Sequence, residues 1–142
     1  MTSKYIPEKT KKIVIERAFG RCEYCQAWMH NALHSFNMEH IIPFHISEDN
    51  TLENLALSCG GCNSFKSIHT KANDPVTSEL VPLYHPRKDK WNDHFAWSSD
   101  YLNIVGTTPS GRVTVEKLRL NRTGLINLRK LTLLIGEHPP KE

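Results

Sequence analysis

Two tight cysteine pairs, Cys22-Glu-Tyr-Cys25 and Cys59-Gly-Gly-Cys62, hold all four cysteines of the chain. A two-residue gap lets a turn aim both sulfurs at one ion. Zinc takes four thiolates in a tetrahedron, so the pairs read as two halves of one structural zinc site. Between them stand Glu39-His40 and then Asn54, and Asn63 follows the last cysteine directly. Imidazole accepts a proton near neutral pH and suits the general base that activates a water. Glu39 and Asn63 offer oxygen atoms, which suit a hard cation such as magnesium or manganese. Together these are the parts of a metal-dependent hydrolase.

Other readings of the cysteines fit less well. Disulfides would need export, and the segment from Met1 to Lys12 has no apolar core of the kind a secretory signal requires. The expected setting is therefore cytoplasmic, where thiols stay reduced and favour metal. A redox-active pair would not explain two such pairs in one chain. No apolar stretch is long enough to span a bilayer, so no membrane partner is expected. With 18 basic against 15 acidic residues, the net charge of +3 permits nucleic-acid binding without demonstrating it.

The elements that must position these groups follow from the pattern. Pro7 and Glu8 at one end and Gly20 at the other frame a helix over 8–19, with Ile13, Val14, Ala18 and Phe19 facing inward. Residues 36–42 alternate as a strand that Pro43 ends. A polar loop over 44–53 leads to a second strand at Leu55-Ala-Leu57, then the second cysteine turn, then a helix from about Asn63 to His69. Neighbouring strand residues point to opposite faces, so Glu39 and His40 serve one site only if the chain turns at the strand end.

Glu39-His40-Ile-Ile-Pro43, Asn54-Leu55 and Cys59-x-x-Cys62-Asn63-x-x-Lys66 resemble the HNH endonucleases, the zinc-stapled branch of the ββα-metal nucleases, over roughly residues 20–70. Farther on, Pro86-Arg87, Trp91-x-Asp93-His94-Phe95-x-Trp97, Gly106-x-Thr108 and Gly111-Arg112-x-Thr114 through Asn121-Arg122 resemble the C-terminal extension of a bacterial subgroup. The resemblance implies an α+β fold with a ββα-metal core and a divalent-metal-dependent endonuclease. His40 would be the general base, Asn54 the brace of the loop that orients it, and Glu39 and Asn63 the ligands of magnesium or manganese. Double-stranded DNA, entered from the minor groove and cut to 5′-phosphate ends, is the implied substrate. The sequence departs from the commonest pattern at three positions: glutamate 39 replaces aspartate, asparagine 63 replaces histidine, and His45 stands where glycine is common.

Single residues keep a plainer reading beside the chemical one. Asn63 also suits a helix cap, Asn54 an Asx turn, and His45 the bare surface. Lys66, three residues after Asn63 on one helical face, meets a substrate phosphate or only solvent. Arg87, with Lys88 and Lys90, reads as a phosphate contact or a surface turn, and His94 beside Asp93 as a second-shell pair or a buried structural histidine. Trp91, Phe95 and Trp97 read as core. A strand over 102–105 and helices over 113–120 and 125–135 are expected to pack onto the zinc core, with a frayed tail from His138. The whole reads as one domain over 1–142, with a helix and zinc-stapled core over 7–70 and a mainly helical extension over 71–142. A catalytically silent DNA-binding or protein-interaction zinc module stays open as the alternative. Oligomeric state and recognition sequence are not encoded in these motifs.

Overall fold

Four consecutive buried residues, Leu55-Ala-Leu-Ser58, form the strand around which the first half is built. In the computed structural model, which describes residues 5–141, this strand (β2) pairs antiparallel with β1 (Asn37–His40). Alternation along β2 sends Leu55 and Leu57 to one face, against Val14 of helix α1 (Glu8–Arg17) and Ala18 at its C-cap. Ala56 goes to the other face, among the cysteines. The strand is thus covered on both sides, which is why it reads as a short apolar run.

Helix α1 starts where Pro7 sets φ at −61° and its carbonyl accepts the Lys11 N–H at 3.0 Å. It ends where Phe19 and Gly20 both take positive φ, 54° and 70°. Only Val14 is buried on it, with Ala18 buried at its C-cap. Ile13 and Phe19, expected inward, are 39% and 71% exposed, because β2 covers a narrow stripe of the helix.

Strand β1 stops at His40, two residues before the expected end, as Ile41 and Ile42 bend away toward Pro43. The loop that follows is more ordered than expected. It holds a short helix, α2 (Phe44–Ser47), and a 3-10 turn at Leu52–Asn54. Helix α3 (Gly60–Lys66) begins inside the second cysteine turn rather than after it. Cys59 is its N-cap, with the sulfur accepting the Cys62 N–H at 3.4 Å, so the cap reading of Asn63 falls away.

The extension adds two small hairpins, of which the sequence pattern announces one strand, expected over 102–105 and found at Ile104–Gly106. One joins β3 (Lys71–Asn73) to β4 (Leu80–Pro82); after helix α4 (Trp91–His94), the other joins β5 (Phe95–Trp97) to β6 (Ile104–Gly106). Three-residue strands are too short to show a period. Helices α5 (Pro109–Lys117) and α6 (Thr123–Leu134) follow. The first begins earlier than expected because the Thr108 hydroxyl caps it, accepting the Gly111 N–H at 3.0 Å, with Pro109 in the first turn. The architecture is the expected α+β class.

Phe95 is buried, with Trp91 and Trp97 packed against the same cluster as the cysteines and Tyr24. The Trp91 indole donates to the Tyr24 carbonyl at 2.9 Å, tying the extension to the first cysteine turn. His94 sits against the Thr108 hydroxyl at 2.6 Å and 3.8 Å from Asp89, so its partners are not Asp93. The tail is packed as far as His138, whose ring lies edge-on to Trp97 at 4.5 Å and meets the Tyr101 carbonyl at 2.7 Å. Glu142 lies outside the described residues. No helix among the described residues is long and apolar enough to cross a membrane.

Helix α5 and β6 approach backbone to backbone. A Cβ on Gly111 would strike the His94 carbonyl, and one on Gly106 would strike the backbone of Gly111 and Arg112. Gly111→Ala is therefore expected to cost about 2 kcal/mol through overpacking, read as a shifted denaturant midpoint with zinc content unchanged. A midpoint equal to the native one would show that the two elements can move apart freely.

Candidate functional site

The four cysteine sulfurs lie within 4.8 Å of one another, and Cys25 Sγ is 3.8 Å from Cys59 Sγ. A tetrahedron with Zn–S bonds of about 2.3 Å has an edge of about 3.8 Å, so the sulfurs are gathered closely enough for a four-thiolate zinc ion. All four cysteines are free of disulfides. Hydrogen bonds from Cys22, Cys25 and Cys62 hold the Cys59 thiol well below its ordinary pKa, while the hydrogen bond with Cys22 pushes Cys25 and Cys62 well above theirs, so the four do not all ionise without a cation to share their charge.

Residues inside the first cysteine turn are occupied as well. Glu23 clamps β2: its N–H donates to the Leu57 carbonyl at 2.8 Å, and its carboxylate accepts the Leu57 N–H at 2.8 Å. The same carboxylate binds the Arg87 guanidinium. Arg87 is thus committed to the knuckle, and the phosphate contact expected of it is not available. Tyr24 points its hydroxyl at both oxygens of Glu39, 3.1 Å each. Burial, then the Glu39 charge, push the Tyr24 pKa well above its ordinary value, so the phenol remains a donor.

Glu39 is buried and faces the cysteine side of the sheet, opposite Ala56. Its Oε1 is 2.8 Å from Lys66 Nζ, with 3% and 2% of the two side chains exposed. Lys66 donates in turn to the Ile41 carbonyl at 2.9 Å. Two expectations are corrected here. Lys66 does not meet substrate, because its ammonium is enclosed. Glu39 does not fit as a catalytic cation ligand, because its oxygens are already taken by an ammonium and a phenol. Asn63, one turn before Lys66, is half-buried and its carboxamide makes no hydrogen bond among the described residues. Magnesium often takes only one or two protein oxygens beside substrate phosphates, and Asn63 fits that limited role.

His40 pairs opposite Leu55, on the other face of the strand from Glu39. The chain turns after His40, not between the two residues, so the acid–imidazole couple is split across the sheet. The His40 Nε2 is 2.8 Å from Asn50 Oδ1, and its ring lies 5.3 Å from that of Phe44. Asn50 Nδ2 is directed to the Tyr5 carbonyl at 3.5 Å, which turns its oxygen toward the imidazole. The neutral ring then carries its proton on Nε2 and keeps Nδ1 as the basic nitrogen.

Asn54 is buried and holds both ends of the intervening loop. Its Oδ1 accepts the Ile42 N–H at 2.8 Å, and its Nδ2 donates to the carbonyls of Ile42 and Asp49, both at 3.0 Å. This sets Asn50 beside His40. His45 is exposed.

Sequence reasoning missed Asn50, Tyr24 and Arg122. Asn50 lies in an Asp-Asn-Thr run that signals only a turn. Arg122 comes from the end of the extension, yet its guanidinium lies 3.5 Å from Cys59 Sγ and 3.6 Å from Cys62 Sγ. Burial opposes its charge, but the sulfurs of Cys62, Cys25 and Cys59 raise its pKa overall. Gly61 explains the approach, because a Cβ there would collide with the Arg122 guanidinium. The signal was present in the glycine pair, but its partner is far away in sequence.

Residues 22–67 match the family model described as HNH endonuclease. The match runs from the first cysteine to just past Lys66 and takes in the cysteine pairs, His40, Asn54 and Asn63. No curated protein and no solved structure matches the chain. Over that segment the chain is similar to HNH endonucleases, and its four-cysteine site can hold structural zinc.

Three sets of variants probe the site's framework. Lys66→Met should destabilise by about 3–5 kcal/mol because it strands a buried carboxylate, while the double variant Glu39→Gln/Lys66→Met should regain most of that loss. Chemical denaturation measures both; equal midpoints for the single and double variants would contradict the pairing. Cys59→Ser should abolish zinc binding and folding together. Arg122→Ala should keep the fold but release zinc to a chromogenic chelator about tenfold faster. Release at the native rate would remove Arg122 from the metal's support.

Proposed function

We propose that the chain is an HNH endonuclease that hydrolyses phosphodiester bonds in DNA, with His40 as the general base. The observation that carries this reading is the state of His40. Its ring is half-buried at the end of β1, its Nε2 is tied to Asn50, and Nδ1 keeps its lone pair. A base must be held in one tautomer and one direction to take a proton from a water aligned on phosphorus. Asn54 supports that alignment through the loop that carries Asn50. The HNH match over the same stretch supports phosphodiester chemistry over other hydrolysis.

A divalent ion of the magnesium class would relieve charge on the departing 3′ oxygen, and Asn63 offers the oxygen free to meet it. Glu39, held by Lys66, serves the frame instead. The residues of this chain then divide the work. His40 takes the water's proton, Asn50 and Asn54 fix His40, and the cysteine cluster with the Glu39–Lys66 pair holds strand against helix. Double-stranded DNA is the proposed substrate and 5′-phosphate ends the proposed product.

Plasmid nicking with and without added magnesium or manganese tests the proposal. His40→Ala should lower the nicking rate by roughly 10²–10⁴ with zinc content and melting unchanged. Asn50→Ala should give a smaller loss, because the ring remains but its tautomer is no longer fixed. An alanine variant at 40 that cuts as fast as the native protein would end the assignment. Binding of DNA without any nicking by the native protein would favour the silent module.

A further inference from the structure

Arg87, Lys88 and Lys90 read from the sequence as a phosphate contact or a surface turn, and Arg87 is bound to Glu23. The turn borders a cleft of about 520 Å³ at the meeting of the HNH segment and the extension. Ile41 and Ile42, the two residues after His40, line one side. Lys66 lies in its floor with its charge already met by Glu39. Lys71, His85 and Lys88 stand at the rim with Asp89.

His85 is held in a defined state. Its Nδ1 accepts the backbone N–H groups of Arg87 at 3.2 Å and Lys88 at 3.3 Å. Backbone N–H groups only donate, so Nδ1 carries the lone pair and the proton sits on Nε2. Burial, then the Lys88 charge, lower the His85 pKa and favour that neutral form. Among the described residues nothing accepts the Nε2 proton, so the cleft contains a preset donor. Asp89, the acidic residue at the rim, is turned to its own loop. Its Oδ2 accepts the His85 N–H at 3.0 Å, and its Oδ1 lies 3.8 Å from His94. Its charge is not neutralised there, so the rim sets two exposed ammoniums, Lys71 and Lys88, against one carboxylate and is positive on balance.

We infer that this cleft binds a nucleotide of the DNA strand, with the His85 Nε2–H and the Lys88 ammonium on its phosphate and the Ile41–Ile42 wall against its sugar and base. The inference rests on the nuclease reading. Two rim cations with a preset donor call for an anion, and the apolar wall calls for an occupant larger than phosphate alone. The volume falls in the range of small-ligand sites, about 300–1,000 Å³.

Duplex DNA binding, followed by fluorescence anisotropy over a salt series without added divalent cation, tests this in parallel with nicking. His85→Asn is the informative variant. An asparagine oxygen can still accept the turn's N–H groups, as in an Asx turn, but places no donor where Nε2–H stood. It should weaken binding about tenfold with melting unchanged. Lys88→Ala should lower the slope of log K against log salt by about one, and is an independent arm if His85→Asn disturbs the turn. Lys130→Ala, exposed on α6 outside the cleft, should change neither. Native affinity and slope in both cleft variants would overturn the inference while leaving the nuclease reading intact. A native protein that binds but never nicks, with both variants weakened, would uphold the cleft and overturn the hydrolytic reading. No DNA binding by the native protein would overturn both.

Discussion

A carboxylate and an ammonium 2.8 Å apart, almost closed to water, join the strand that carries His40 to the helix that grows from the second cysteine turn. Burying either ion alone costs several kcal/mol, and the pair is tolerable only when the remaining lone pairs and protons find partners. They do: Tyr24 donates to both Glu39 oxygens, and Lys66 donates to the Ile41 carbonyl. The arrangement has little freedom, because any slip of strand against helix would strand a charge. Turning Glu39 inward also turns His40 outward, since neighbours on a strand alternate. One buried pair thus orients the imidazole without touching it.

The sulfur cluster is the second constraint, and the two share parts. Tyr24 lies between two cysteines and contacts Glu39; Lys66 lies four residues after Cys62 on the same helix. From the extension, Trp91 reaches the Tyr24 carbonyl, Arg87 reaches Glu23, and Arg122 reaches Cys59 and Cys62. These side chains all converge on the two cysteine turns. The second half of the chain therefore acts as the outer coat of the metal site, and with the β3–β4 hairpin it also shapes the cleft beside Ile41 and Ile42.

Much of the framework was legible because it depends on local spacing. The cysteine pairs, the short apolar strand at Leu55-Ala-Leu57 and the helix after Pro7 are each set by residues within a few positions of one another. The HNH resemblance was legible for the same reason. The role of Glu39 was not, because sequence shows a carboxylate's type but not who neutralises it. Lys66 looked like a solvated or phosphate-facing lysine, and only the approach of α3 to β1 reveals it as buried. Asn63 kept its helix but lost its capping role, since the sulfur of Cys59 took the cap. Asn50 and Arg122 could not be found by pattern: one sits in an ordinary turn, the other acts across 60 residues. Of the two hairpins of the extension only the strand near 102–105 was expected; the other three strands escaped because three residues carry no period.

Gly61 has no side chain because a guanidinium from far downstream occupies that space. A glycine inside a metal turn is easily taken for a matter of backbone bending, yet here it is a vacancy kept for another part of the chain. The stretch that the family model covers ends well before that arginine. Cut out and grafted elsewhere, it would bring all four sulfurs but leave Cys59 and Cys62 facing bulk solvent where a cation had covered them. The motif is thus not a portable cassette in this protein; its metal turn was sculpted to receive a lid that the motif itself does not encode.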